Sequence, residues 1–168
     1  MLSELRRSQE RRDGQIYRYT QARVVRAGAE MMLTVRPWEY LDISLQGEYL
    51  FARQLSGEKA GYGLPFSPPW RLMPQLKFHW KEQGYAAVDV RVSGAQKDIV
   101  PPEKPTEGWW TLNMSAGQRF SFNTCALTLN LKAENILNTK YFDHTSYYRL
   151  IDIPEAGWNL SAMVSVDF

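Results

Sequence analysis

The stretch VRAGAEMMLTVRPWEYLDISLQGEYLF, Val25 to Phe51, decides the fold. Its odd positions read Val25, Ala27, Ala29, Met31, Leu33 and Val35, and its even ones Arg26, Gly28, Glu30, Met32, Thr34 and Arg36. A period of two puts apolar and polar side chains on opposite faces of a β-strand. Arg36, Pro37, Trp38 and Glu39 then turn the chain, since proline cannot donate to a ladder. The pattern restarts at once, with Leu41, Ile43, Leu45, Gly47, Tyr49 and Phe51 set against Asp42, Ser44, Gln46 and Glu48.

The same alternation returns five times. Leu72, Pro74, Leu76, Phe78 and Trp80 oppose Arg71, Gln75, Lys77 and His79, and Ala86, Val88, Val90 and Val92 oppose Tyr85, Asp89, Arg91 and Ser93. Trp110, Leu112, Met114 and Ala116 oppose Thr111, Asn113, Ser115 and Gly117. Cys125, Leu127, Leu129 and Leu131 oppose Thr128, Asn130 and Lys132. In the last, Trp158, Leu160, Ala162, Val164, Val166 and Phe168 oppose Asn159, Ser161, Ser165 and Asp167. The expectation is an all-β, antiparallel up-and-down meander of about seven long strands, part of a transmembrane β-barrel. Most of these strands approach the roughly 9 to 11 residues that a tilted spanning strand needs, where soluble strands are nearer 5 or 6.

The connections carry a second signal. Pro37 to Tyr40, Lys81 to Gly84 and Phe120 to Asn123 are tight, whereas Gln54 to Pro69, Gln96 to Glu107 and Ile136 to Ala156 are long, and the two kinds alternate. Short turns at one rim and long loops at the other are the layout of outer-membrane barrels. Aromatics gather where strands begin or end, at Trp38, Tyr40, Tyr49, Trp80, Trp110 and Phe168 among others, as the headgroup boundary favours.

Composition narrows the function classes. Hydrophobic residues make up 44% of the 168, yet the mean hydropathy is -0.43. The apolar residues are therefore diluted by polar ones, and no window approaches the roughly 18 that a spanning helix needs. A net charge of +2, from 20 basic and 18 acidic residues, gives no case for nucleic acid. The basic cluster Arg6, Arg7, Arg11 and Arg12 falls in a polar N-terminal segment, 1–15, that reads as a solvated loop or frayed end, with the barrel portion spanning 16–168. The lone Cys125 excludes an intrachain disulfide and a cysteine metal cluster. MLSELRRSQERR has no apolar h-region and is not a secretory signal, so an outer-membrane location requires one from outside this sequence.

The region from about Tyr17 to Phe168 resembles the C-terminal third of TonB-dependent outer-membrane receptors. Four segments carry the likeness: Ala22, Arg23 and Val24 leading through Gly28 and Glu30 to Arg36 and Pro37; Gly63 to Trp70; Glu134, Asn135, Ile136, Leu137 and Asn138 with Tyr141; and Ile153 to Asn159 running on to Phe168. Ala156 stands where proline is commoner, and Trp158 where arginine is. The resemblance implies uptake of a scarce ligand, such as a metal chelate, haem or cobalamin-like compound, through a plugged barrel of about 22 strands. It implies as partners outer-membrane lipid, the barrel-assembly machinery, an N-terminal plug with further barrel strands, and an inner-membrane energy-coupling complex. By that reading this sequence is a fragment, not competent for transport alone.

For site residues the same likeness offers Trp158, Leu160, Ala162, Val164, Val166 and Phe168 as a barrel-assembly signal, an edge strand ready for β-augmentation. Asp143, His144, Tyr147 and Tyr148 share the last long loop and are candidate contacts for an external ligand, although a single histidine reads first as a solvated loop residue. Glu103 and Glu107, flanking a Pro-rich loop, read as solvated. The scattered methionines read as packing residues, not as a soft-metal box. No nucleophile with its base, phosphate loop or marked carboxylate pair occurs, so neither catalysis nor a cofactor is expected. The competing reading is a soluble all-β, carbohydrate-binding-like module stacking sugars on Trp109, Trp110 and Tyr62. A further alternative, a small complete barrel, needs an eighth strand from Gln15 to Val24.

Overall fold

A computed structural model describes residues 2–8, 16–80 and 83–168, and of 2–8 and 16–20 only the strand pairing. Among the described residues nine strands form: β1 (Leu2–Ser8), β2 (Ile16–Ala22), β3 (Val24–Trp38), β4 (Leu41–Gln54), β5 (Arg71–Trp80), β6 (Gly84–Ser93), β7 (Trp109–Ser121), β8 (Ala126–Glu134) and β9 (Asn159–Asp167). A single 3-10 turn, Tyr147–Ile151, interrupts the last long loop. Strands β3 to β9 make one seven-stranded sheet in sequence order, each antiparallel to the next. The expected meander is present strand for strand.

Two features differ from expectation. Leu2–Ser8, placed by sequence in a polar loop, is a strand that pairs with Ile16–Ala22 in a separate two-stranded sheet, while 9–15 lie outside the described residues. The segment proposed as an eighth barrel strand is thus joined to β1. Among the described residues β3 and β9 do not pair, so the seven-stranded sheet stays open. Pro37, expected to begin the turn, lies inside β3, and the register shifts between Val35 and Trp38. This bulge adds one residue, so Trp38 faces Leu41 and returns to the apolar side. Pro74 lies inside β5 without shifting its register. The pairing with β6 skips Met73 and Pro74, as a residue without an N–H requires.

In β5 and the Trp110 to Met114 part of β7 the exposure is inside out by the standard of a soluble core, whereas β9 and most of β3 are exposed on both faces. In β5 Leu72, Pro74, Leu76 and Phe78 are exposed, and Arg71, Met73, Gln75 and Lys77 between them are half-buried. In β7 Trp110 and Met114 are 49% and 48% exposed, whereas Thr111 and Asn113 are 2% exposed. Soluble sheets turn the apolar face inward and the polar face to water. Here the polar face is knitted by its own contacts: Asn113 Nδ2 donates to Asp89 Oδ2 at 2.7 Å, Lys132 Nζ lies 2.8 Å from Glu134, and Asp42 takes both Arg36 and His79.

Aromatics ring the apolar face at both rims. At the turn end Trp38, Tyr40, Phe78 and Trp80 form a continuous chain of ring contacts, with centroids 6.1, 5.5 and 6.4 Å apart. Trp80 Nε1 donates to Gln118 at 2.8 Å and lies so close over Gly84 that a Cβ there would fall 2.3 Å from it, so a side chain at Gly84 would displace the indole. At the loop end stand Tyr49, Trp110 and Trp158. From Leu41 to Tyr49 is about 26 Å of strand at ~3.3 Å per residue, against an apolar band of about 25 Å in barrels of this architecture.

Candidate functional site

The outer end of the polar face meets the last long loop, and there the candidate residues collect. Asp143 is gripped by Arg71, whose Nη2 lies 2.9 Å from both carboxylate oxygens, while Arg71 Nη1 is 3.4 Å from Glu48. Tyr141 packs at a tilt against Trp109, with centroids 4.1 Å apart. Between sheet and loop is a cavity of about 700 Å³, lined by Glu30, Glu48, Arg71, Arg91, Trp109, Tyr141 and Asp143 together with Met32, Gln46 and Met73.

His144 departs from expectation. It is 2% exposed, with Nδ1 3.0 Å from Thr106 Oγ1 and Nε2 3.3 Å from Glu103 Oε1. Glu103, read from sequence as solvated, has a side chain only 7% exposed, and Arg149 binds it from the 3-10 turn. Arg149 also donates from Nε to the His144 carbonyl at 2.7 Å and covers the Phe66 ring at 5.0 Å. Phe66 in turn donates its N–H to Glu103 at 3.1 Å and packs on Tyr147 at 4.8 Å between centroids. One buried carboxylate therefore ties all three long loops together. Of the four predicted loop contacts, Asp143 and His144 are held by the protein itself, while Tyr147 and Tyr148 are 74% and 58% exposed.

Burial is the largest influence on Glu103 and pushes its carboxyl up. Contact with His144, the Phe66 N–H and the charges of His144 and Arg149 together outweigh it and hold the group below the ordinary carboxylate range. A depressed folded-state value means stability that is present above the unfolded value and lost as pH falls through the folded one. Hydrogen exchange in 96–107 and 136–156 is therefore expected to stay slow from neutral pH down through the usual carboxylate range. It should accelerate only below it, and acceleration already near neutrality would contradict this assignment.

The segment Glu134 to Asn138 is structural. Asn135, at φ 49° and 4% exposed, accepts at Oδ1 from Thr139 N at 2.8 Å and donates from Nδ2 to the carbonyls of Thr139 and Ala156 at 2.9 and 3.2 Å. Its own N–H donates to Asn113 Oδ1 at 2.9 Å. Asn138, also at positive φ, accepts from Trp158 N at 3.2 Å. The two asparagines clasp both ends of the last long loop and set the start of β9. Asn135→Ala should cost about 2–4 kcal/mol, since it strands buried backbone groups and loses a side chain suited to that backbone. Chemical unfolding of the refolded protein checks this, with Ile136→Ala, whose side chain is partly exposed, as the mild comparison.

The edge residues Trp158, Leu160, Ala162, Val164, Val166 and Phe168 are exposed, and among the described residues β9 pairs on one side only, with β8. Trp109 and Trp110, offered by sequence as one stacking platform with Tyr62, lie on opposite faces of β7. Trp109 packs on Tyr141, whereas Trp110 is open. Among the described residues no His, Cys, Asp and Glu group of three or more could hold a metal ion.

No protein-family model matches the sequence. Comparison of the fold with solved structures gives a match of TM-score 0.77. The chain is similar to Copper transporter OprC. Sequence identity is 17%, and the match covers 92% of this chain and 25% of that one, so the likeness is one of fold. The chain spans about a quarter of that protein's length.

Proposed function

We propose that the chain is a wall section of an outer-membrane β-barrel of the TonB-dependent kind, serving active uptake of a scarce ligand such as a metal chelate, haem or cobalamin-like compound. The observation that carries this reading is the open apolar face, clearest in β5 and β7, where Leu76, Phe78, Trp110 and Met114 are exposed while Gln75, Lys77, Thr111 and Asn113 are half-buried or buried. A water-soluble monomer rarely leaves so large a continuous apolar face uncovered. An apolar trough of about 570 Å³ on that face, lined by Leu76, Phe78, Val88, Met114 and Leu131 among others, suits acyl chains. Aromatic rims and length-sorted loops agree with it.

In hydrocarbon every backbone group must be paired within the protein, so a spanning sheet must close. The free edges of β3 and β9 therefore require neighbouring strands, and the section does not transport by itself. The partners are lipid, the assembly machinery reading the β9 edge, a plug with further strands, and an energy-coupling complex of the inner membrane. The fold likeness to a copper transporter supports a transport role for the barrel. The competing sugar-binding module lacks support, because apolar residues such as Leu76, Phe78 and Met114 are exposed and Trp109 and Trp110 lie on opposite faces of β7.

Circular dichroism through a thermal melt tests the proposal. The chain should aggregate in water and gain β-structure in detergent. A sharp transition from a soluble monomer in water would overturn it.

A further inference from the structure

Two side-chain hydrogen bonds near the turn rim each pass over a glycine. Trp80, Gly84 and Gln118 stand side by side on β5, β6 and β7, and Trp80 Nε1 donates across Gly84 to Gln118 Oε1 at 2.8 Å. One strand further on, Tyr85, Gly117 and Asn130 stand side by side on β6, β7 and β8, and the Tyr85 hydroxyl donates across Gly117 to Asn130 Oδ1 at 3.3 Å. A Cβ on Gly84 would land on the Trp80 indole and the Gln118 oxygen, and one on Gly117 on the Tyr85 ring and the Asn130 oxygen. The order aromatic, glycine, carboxamide is thus repeated, moved by one strand. Gly84 and Tyr85 are consecutive, so the first triplet lies on the apolar face with Phe78 and the second on the polar face, where Lys77 covers the Tyr85 ring from β5 at 4.5 Å.

Neither glycine is required by its own backbone. Among the described glycines positive φ is confined to Gly57 and Gly61, and glycine inside a strand costs entropy and leaves nothing to pack. What Gly84 and Gly117 supply is room for a ring to cross the strand. Their place matters as well. At this rim the short connections 81–83 and 122–125 join β5 to β6 and β7 to β8, whereas β6 and β7 are joined only at the opposite end, by 94–108. Turn geometry therefore sets the first two registers here but not that of β6 against β7. The neighbouring pairs, Ala86 with Ala116 and Ala87 with Ser115, are small and specify register weakly. The Asn113 bond to Asp89 lies four residues along β6 from Tyr85.

We infer that the two triplets form a register lock, one half on each face, that fixes β6 against β7 at the end where no turn joins them and makes β5 to β8 one unit. A slip of β6 along β7 by one residue would set Tyr85 against Ala116 or Gln118, and a slip of two would set it against Ser115 or Arg119. In every case a side chain stands where the ring must cross, and Gly84 no longer faces Gln118. The same slip by one residue would turn apolar positions to the polar face. The lock is a property of the sheet and holds whatever covers its apolar face.

The test takes two measurements on the full chain, in zwitterionic detergent or in water, whichever folds it. Gly84→Ala should lower the folding equilibrium constant roughly tenfold while Trp80 is present. In a Trp80→Ala chain, where the indole is gone and the Gln118 side chain can turn aside, the same change should cost less than about threefold. Equal losses in the two backgrounds would mean that the glycine serves its backbone, and would overturn the lock. Register is read by disulfide formation in Cys125→Ser chains. Ala86→Cys with Ala116→Cys, directly opposite one another, should cross-link readily, whereas Ala86→Cys with Met114→Cys, opposite only after a two-residue slip, should not. Adding Gly84→Ala with Gly117→Ala should raise the slipped product relative to the native one, and an unchanged ratio overturns the proposal. If those chains do not fold, Trp80→Phe with Tyr85→Phe keeps both glycines and a ring beside each while removing the two donors. It should shift the ratio the same way, by roughly fivefold for each hydrogen bond lost, and no shift there overturns the lock as well.

Discussion

A Leu76→Arg chain is expected to refold poorly in detergent or lipid, losing about 2–4 kcal/mol, the cost of a cation on the lipid face near the middle of a spanning strand. Leu76 lies mid-strand in β5, between Ile43 and Val88, and is 48% exposed. At so open a site on a soluble protein, the same change would fall within about 0.5 kcal/mol. The neighbouring Gln75→Arg is the internal control. It points to the polar face, opposite Asp89, and should be nearly neutral or mildly favourable. Urea unfolding of the two variants in the same detergent gives the comparison. Equal effects at 75 and 76 would remove the distinction between the faces.

Arg149→Ala should have the second large effect, confined to the loop end. Its guanidinium is 4% exposed and is the permanent positive charge against the buried Glu103. Removing one partner of a buried pair costs about 3–5 kcal/mol, because the remaining charge is left uncompensated. The three long loops should loosen together, with faster hydrogen exchange in 55–70, 94–108 and 135–158 and little change in β5 or β6. Arg149→Lys should recover part of the protection, since it restores the charge but not the Nε bond to the His144 carbonyl. Loosening limited to the last loop would mean that Glu103 does not tie the three.

The sheet was legible because alternation is a local property. Val25 to Val35 and Leu41 to Phe51 declare their faces without reference to any other part of the chain. The sorting of short and long connections gives their order, and both appear as expected. Pro37 misled because a proline at a bulge and a proline in a turn look alike in sequence, and only the pairing of Trp38 with Leu41 separates them. Leu2–Ser8 read as a loop because its sequence has no apolar alternation, and only its pairing with Ile16–Ala22 marks it as a strand.

The candidate site was much less legible. Glu103 and Arg149 are separated by 46 residues, and His144 and Thr106 by 38. Nothing in either local stretch signals that the loops will close over one another. Polar residues in long loops are expected at the surface, so reading His144 and Glu103 as solvated followed the general trend and missed the packing.

The central claim is that the apolar face of this sheet meets lipid. Single cysteines at 75, 76, 77 and 78, introduced with Cys125→Ser, can carry spin labels into bilayer-reconstituted protein, where collision with dissolved oxygen reports contact with hydrocarbon. The expected result is a period of two, with high oxygen accessibility at 76 and 78 and low values at 75 and 77. High accessibility at 75 and 77, or no periodicity at all, would contradict the account.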